Sequence, residues 1–166
     1  MRNFLLILTS FLIASSSNAQ DFNSIEDQTD RLYTIALSKC LINEVENYGE
    51  WGFVSDSMSV VVEDVRHGLR KFPEFIGKHR IEYLSSEQVV SKAKSDNGVK
   101  IYTPFPIRVQ NDTLSIGINY YGVEVKDKIF KSPSIRYSLS GGCRAFFILD
   151  PETHKFEFSS AELWGI

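Results

Sequence analysis

The chain has 166 residues, of which 43% are hydrophobic and 13% aromatic, a composition typical of ordered globular proteins and not of disordered segments. Its 18 lysine and arginine side chains are outnumbered by 21 acidic ones and are scattered among them. Nucleic-acid binding requires clustered positive charge, so we expect no nucleic acid among the partners.

The amino terminus has the order of a cleavable secretory signal peptide. Arg2 is followed by an apolar run at residues 4–14 and then by small and polar residues. The run is about half the roughly 20 residues that span a bilayer, and Ser17 and Ala19 fit the preference of signal peptidase for small residues. The alternative, an uncleaved anchor, is disfavoured by the shortness of the run.

We predict cleavage between Ala19 and Gln20. Residues 1–19 are then the signal peptide, and residues 20–166 form one globular domain with a net charge near −4, because cleavage removes Arg2 and no acid. No later segment is apolar enough for stable membrane insertion. We expect the mature protein to be secreted or periplasmic.

Cys40 and Cys143 are the two cysteines of the chain. An oxidising compartment favours a disulfide between them, which would close a loop of about 100 residues and stabilise the fold by up to about 4.7 kcal/mol in the chain-entropy model. The alternative is a pair of buried thiols, since unpaired cysteine is among the most buried residue types.

One helix leads the domain. Ser24 and Asp27 resemble a capping box, and apolar residues then recur every three or four positions as far as Tyr48, which predicts a helix with one buried face that ends at Gly49. The polar residues between them are assigned largely to solvent: Asp30, Arg31, Ser38, Lys39, Asn43, Glu44 and Glu46.

The middle of the chain predicts two short strands and a second helix. Residues 59–65 are β-branched and predict a strand, and residues 66–78 predict a loop that leads to a strand at residues 80–84. A short helix is predicted at residues 85–94, where residues 96–98, Asp-Asn-Gly, end it.

The final third predicts an antiparallel meander, because turn residues divide it into alternating runs. The runs are residues 99–110, 113–126, 134–139, 143–149 and 155–164. Hairpin turns are predicted at Asn111-Asp112 and at Ser140-Gly141-Gly142, since Asn, Asp and Gly accept positive φ. Residues 143–149 are apolar on both faces and predict a central strand.

Two features predict that the sheet bends. The alternation of apolar residues changes parity at residues 121–122 and again at residues 159–160, which predicts a β-bulge at each point. Pro104 and Pro106 remove donors from one side of their run, so this run is an edge strand or its ladder breaks there.

These elements predict an α+β fold with one N-terminal helix packed on a curved, bulged antiparallel meander. The element order is that of the cystatin-like and nuclear-transport-factor-like rolls, in which the sheet curls around the helix. Such folds host enzymes, binding proteins and inhibitors alike, so the fold does not select a function.

Catalytic and metal-binding motifs are weak. Residues 91–94 match S-x-x-K and residues 95–97 match S-D-N, but the two abut and no K-T-G follows, so we interpret them as a polar helix ending in a turn. His67, His79 and His154 lie far apart and are interpreted as surface residues. We expect no metal or cofactor and assign no catalytic residue.

Polar residues on the predicted sheet offer one candidate site. Arg108, Asn119, Tyr121 and Tyr137 are polar or amphipathic and are the candidate ligand-binding residues of a concave face. The acids near strand ends are interpreted as solvated residues: Glu63, Asp64 and Glu124.

The carboxy-terminal part resembles a group of small exported bacterial proteins without an assigned function. The resemblance rests on Pro-Ile-Arg-Val at residues 106–109, on Gly141-Gly142, on Phe156 and on the ending Glu-Leu-Trp-Gly-Ile at residues 162–166. It covers the meander and implies a bacterial envelope or secreted setting.

We therefore predict an exported binding or interaction domain of the bacterial envelope, whose partner is an envelope or extracellular protein or a small ligand. Two alternatives remain open. One is a small roll-fold hydrolase or isomerase with a pocket on the concave face, since such enzymes can act with one Asp or Tyr. The other is a protease-inhibitor-like module that presents the Gly141-Gly142 turn.

Overall fold

A computed structural model describes Phe22 and residues 25–48, 59–65, 71–126 and 134–165. The predicted signal peptide with its Ala19–Gln20 cleavage point, Ser24 and His67 lie outside the described residues. The helices are α1 (Gln28–Tyr48) and α2 (Ser86–Ser95). The strands are β1 (Val60–Glu63), β2 (Phe75–Ile76), β3 (His79–Leu84), β4 (Val99–Pro104), β5 (Arg108–Gln110), β6 (Thr113–Lys126), β7 (Ser134–Asp150) and β8 (Lys155–Trp164).

The strands form one mixed sheet in the order β2-β3-β1-β4-β6-β7-β8, with β5 also paired to β6. The predicted α+β class, with an N-terminal helix on a mostly antiparallel sheet, is confirmed. The sheet also has a part that the predicted meander lacks, because β1 pairs in parallel with both β3 and β4.

Helix α1 packs against β6, β7 and β8 and is buried far more completely than its sequence pattern predicts. Asp27 caps it, since Asp27 Oδ1 accepts the backbone N–H groups of Thr29 at 2.8 Å and Asp30 at 3.2 Å. Four residues predicted to face solvent are buried instead: Asp30, Arg31, Ser38 and Glu44.

Two of the charged residues buried on α1 have partners, which helps to explain how the helix can be enclosed. Arg31 Nη2 lies 3.1 Å from Glu157 Oε1, and Glu44, which is fully buried, accepts a hydrogen bond from Tyr102 OH at 3.0 Å. The assignment to solvent assumed one buried face, whereas the helix is covered on more than one side.

The parity change in β6 has a different cause from the predicted bulge. Strand β6 alternates regularly: its even residues, from Leu114 to Tyr120, join the core beneath α1, and its odd residues Val123 and Val125 join a second cluster beneath α2. The apolar face changes because the two helices cover opposite faces of the same strand. The bulge predicted within residues 121–122 is therefore wrong for β6.

The bulge at this level of the sheet lies in β7. Tyr120 pairs with Gly141 and Tyr121 pairs with Leu139, so Ser140 is an extra residue on the β7 side. The predicted hairpin turn at Ser140-Gly141-Gly142 is accordingly wrong, since residues 134–150 form one continuous strand. Glycine there indicates a bulge and a close approach of backbone, not a chain reversal.

Gly141 and Gly142 are required by the end of β8. Gly141 has φ 155°, and a Cβ on it would lie 2.8 Å from the carbonyl oxygen of Trp164. A Cβ on Gly142 would overlap the Trp164 ring and would lie 2.8 Å from the carbonyl oxygen of Ile118. Both glycines are buried within β7 and form no presented loop.

The bulge predicted in the last strand is present. Phe146 pairs with Ser160 and Phe147 pairs with Phe158, which leaves Ser159 as the extra residue of β8. The side chains before and after this bulge therefore pack on the same core: Phe156, Phe158, Ala161 and Leu163.

Pro104 and Pro106 interrupt the first predicted run of the meander. The run divides into β4, which ends at Pro104, and β5, which begins at Arg108. Between them, the N–H of Phe105 donates to the carbonyl oxygen of Gly117 at 2.8 Å. The break in the ladder follows from the missing N–H groups of the two prolines.

Cys40 on α1 and Cys143 on β7 are joined in a disulfide, with 5.7 Å between their Cα atoms. Both residues are fully buried, and the bond connects the helix to the strand that lies between β6 and β8. The loop it closes spans 103 positions of the chain.

Candidate functional site

Helix α2 lies on the face of the sheet opposite α1. Ser85 caps it, because its Oγ accepts from the N–H of Gln88 and the Gln88 side chain accepts from the N–H of Ser85. The buried side of α2, Val89 and Ala93, packs on an apolar cluster of the sheet. This cluster consists of Val61, Ile101 and Val123.

Polar side chains continue the same face of the sheet beyond the N-terminal end of α2. Thr103 pairs with Asn119 across β4 and β6, and Glu63 is the last residue of β1, which pairs in parallel with β4. Glu63 Oε1 accepts a hydrogen bond from Ser86 Oγ at 2.8 Å, and Glu63 Oε2 accepts one from Thr103 Oγ1 at 3.1 Å. The helix start thus fixes the carboxylate against the sheet.

Glu63 is only 8% exposed, and no lysine, arginine or histidine of the described ranges forms an ion pair with it. Among the described residues, the hydrogen bonds to its carboxylate come from two neutral hydroxyl groups. Burying a carboxylate without a cation is costly, so a positive group placed beside Glu63 would gain energy from its charge.

Two tyrosine rings lie on the same face of the sheet as this carboxylate. Asn119 Nδ2 donates to Tyr121 OH at 3.0 Å, and the ring of Tyr121 meets the ring of Tyr137 edge to face, with 6.2 Å between centroids. Tyr137 remains 43% exposed. Partial burial, and secondarily the negative charge of Glu63, raise the pKa of the Tyr137 phenol, so Tyr137 stays neutral and can donate a hydrogen bond.

Three of the four residues predicted to line a ligand site are therefore together: Asn119, Tyr121 and Tyr137. Arg108 is not with them. It is exposed on β5 and pairs with Ser115, four positions along β6 from Asn119, which is a separation of about 13 Å.

The sequence prediction missed the anchor of the site. Glu63 was interpreted as a solvated strand residue, whereas it is buried and holds the hydroxyls of Ser86 and Thr103. The sequence did contain a signal for the burial of Glu63, because the valines at residues 60–62 do not alternate with polar residues. A strand of this kind is covered on both faces, and its last residue is then covered as well.

The other motifs have structural roles. Lys94, the lysine of the S-x-x-K match, is exposed on α2, and Lys92, at a variable position of the match, forms ion pairs with Glu82 at 3.2 Å and with Asp96 at 3.5 Å. His154 is exposed in a turn, but the surface prediction is wrong for His79, which is 6% exposed because the odd residues of β3 face the core. Within the described ranges, no three His, Cys, Asp or Glu side chains are grouped as metal ligands.

Comparison of the chain with known protein families, with characterised proteins and with solved structures finds no match. Neither helix of the described ranges is long and apolar enough to cross a membrane.

Proposed function

We propose that this protein is an exported binding domain, and that its ligand site is the surface formed by Glu63, Thr103, Asn119, Tyr121 and Tyr137. The observation that carries the proposal is Glu63, a nearly buried carboxylate held by two hydroxyls without a cation in the described ranges. A few fixed polar groups among aromatic side chains are typical of ligand sites.

The chemistry of the site favours an organic cation that carries a primary ammonium or guanidinium group. The carboxylate of Glu63 supplies the opposite charge, and the rings of Tyr121 and Tyr137 supply faces on which a cation packs. The amide oxygen of Asn119 remains an acceptor for the donors of such a group, because its Nδ2 is used by Tyr121.

Binding to single-group probes tests the proposal by isothermal titration. We expect arginine amide and lysine amide to bind with Kd values on the order of 1 mM, which corresponds to about 4 kcal/mol of binding free energy from the carboxylate, the Asn119 oxygen and the tyrosine rings together. Glu63→Gln should weaken this binding about tenfold or more, which is the loss of one charge-assisted hydrogen bond.

Glu124→Gln is the matched control, because Glu124 is an exposed acid on β6 and faces away from the site. It changes the net charge by the same amount and should leave the affinity unchanged. Equal affinity of the Glu63→Gln variant and the parent would contradict the proposed site, as would absence of binding to both probes.

Export to the periplasm or the cell exterior is part of the proposal. The signal-peptide pattern of residues 1–19 supports it, and so does the disulfide between Cys40 and Cys143, since such bonds persist in oxidising compartments. Intact mass of the protein recovered outside the cytoplasm should correspond to a chain that begins at Gln20. A chain that begins at Met1 would contradict cleavage.

The alternatives have less support. The inhibitor hypothesis depended on a presented turn at Gly141-Gly142, and these glycines are buried within β7. The enzyme hypothesis has Ser86 beside Glu63 at 2.8 Å, but a carboxylate is a much weaker base than the imidazole that activates serine in hydrolases.

A further inference from the structure

One part of β7 lies at an edge of the sheet. Strand β8 ends at Trp164, which pairs with Gly142, so β8 covers β7 only from residue 142 onward. Residues 134–140 pair with β6 on one side. On their other side no strand of the described ranges pairs with them, so this part of β7 is an edge of the described sheet.

This edge carries an exposed apolar stripe. Ile135, Tyr137 and Leu139 alternate along the strand and are 45%, 43% and 53% exposed. Natural edge strands are usually protected by proline, by several charges or by a covering element, whereas residues 134–140 contain no proline and one charged residue, Arg136. An edge of this composition is suited to pairing with another strand.

The opposite face of the same corner carries more basic than acidic side chains among the described residues of β6 and β7. Arg136 pairs with Glu124 of β6, and Lys126 of β6 pairs with the first residue of β7 and lies 3.7 Å from Glu124. Two basic side chains are thus present with one acid, and Arg136 is the charged residue of the edge strand itself. A strand added here would place every second side chain beside Arg136 and the others beside the apolar stripe.

We infer that residues 134–140 bind an extended segment of a partner protein as an added strand, and that this segment alternates apolar with acidic side chains. Charge complementarity selects this occupant over a second copy of the chain. If two copies of the chain paired antiparallel through residues 134–140, with the seven residues fully aligned, their two Arg136 side chains would occupy diagonal positions about 7 to 8 Å apart. At this distance the two positive charges repel each other.

A peptide probe tests the inference. A seven-residue peptide of alternating glutamate and valine, acetylated and amidated, should bind, and its lysine–valine counterpart should bind about fivefold more weakly or not at all. Arg136→Glu should reverse this preference, because it replaces attraction of the acidic side chains by repulsion. Arg108→Glu, an equal change of charge at an exposed position on β5, should leave it unchanged.

Other outcomes overturn the inference. These are absence of binding to both peptides, a preference that Arg136→Glu does not change, and a dimer of the protein alone at micromolar concentration, which would make a second copy the occupant. Glu63→Gln should leave peptide binding intact, so failure of this inference is distinguishable from failure of the proposed ligand site.

Discussion

Replacement of Cys40 and Cys143 together by alanine should lower the free energy of unfolding by about 5 kcal/mol. The disulfide closes a loop of 103 positions, and for a loop of this length the chain-entropy model gives about 4.7 kcal/mol. Loss of two fully buried sulfur atoms adds to this cost. Most domains are stable by about 5–15 kcal/mol, so the double variant is expected to be marginal or partly unfolded.

The assay is urea denaturation followed by tryptophan fluorescence and far-ultraviolet circular dichroism, with the protein in oxidised and reduced forms. The reduced parent and the double variant should have similar midpoints, and reductant should have no effect on the variant. A melting temperature lowered by about 10–20 °C would correspond to the same loss in a domain of this size. A loss below about 1 kcal/mol would refute the conclusion that this bond anchors α1 to the sheet.

Three further outcomes are expected. Gly142→Ala should destabilise the protein by about 1–3 kcal/mol, because the added Cβ would overlap the ring of Trp164. Gly122→Ala is the control, since nothing lies within 4 Å of a Cβ at that position, and it should leave the stability almost unchanged. Urea denaturation midpoints measure both effects. Glu63→Gln should lower the raised pKa of Tyr137 toward 10.0 in an NMR titration. An unchanged pKa would contradict the electrostatic effect of Glu63 on Tyr137. Burial, and then the carboxylate of Glu44, raise the pKa of Tyr102 in the folded protein. The free energy of unfolding should therefore fall as the pH rises above 10.0, and Tyr102→Phe should reduce this dependence on pH.

Local patterns predicted most of the elements correctly, because their causes are local. The period of α1, the Asp-Asn-Gly sequence that ends α2, the two prolines that break the first run and the bulge at Ser159 all act within a few residues of the chain. Such signals depend on backbone geometry and hydrogen bonding and do not require knowledge of what packs above or below.

Errors arose where burial depends on distant parts of the chain. Leu114 and Val123 lie on opposite faces of β6, and only the presence of a helix on each face makes both buried. Glu44 was assigned to solvent by its helical position, but Tyr102, distant in sequence, encloses its carboxylate. The pattern of one strand or helix does not show how many of its sides are covered.

The candidate site was predicted in part for the same reason. Asn119 and Tyr121 lie on one strand with matching parity, so their common face could be inferred, and Tyr137 follows from the pairing of β6 with β7. Glu63 comes from a parallel strand far earlier in the chain, and parallel pairing requires a long crossover that no local pattern specifies.

Chemical-shift mapping with arginine amide tests the central claim most directly. The backbone and side-chain signals of Glu63, Asn119, Tyr121 and Tyr137 should shift together and saturate with a single Kd, while those of Arg108 should not move. Shifts confined to other parts of the sheet, or shifts that persist unchanged in the Glu63→Gln variant, would contradict a ligand site centred on this carboxylate.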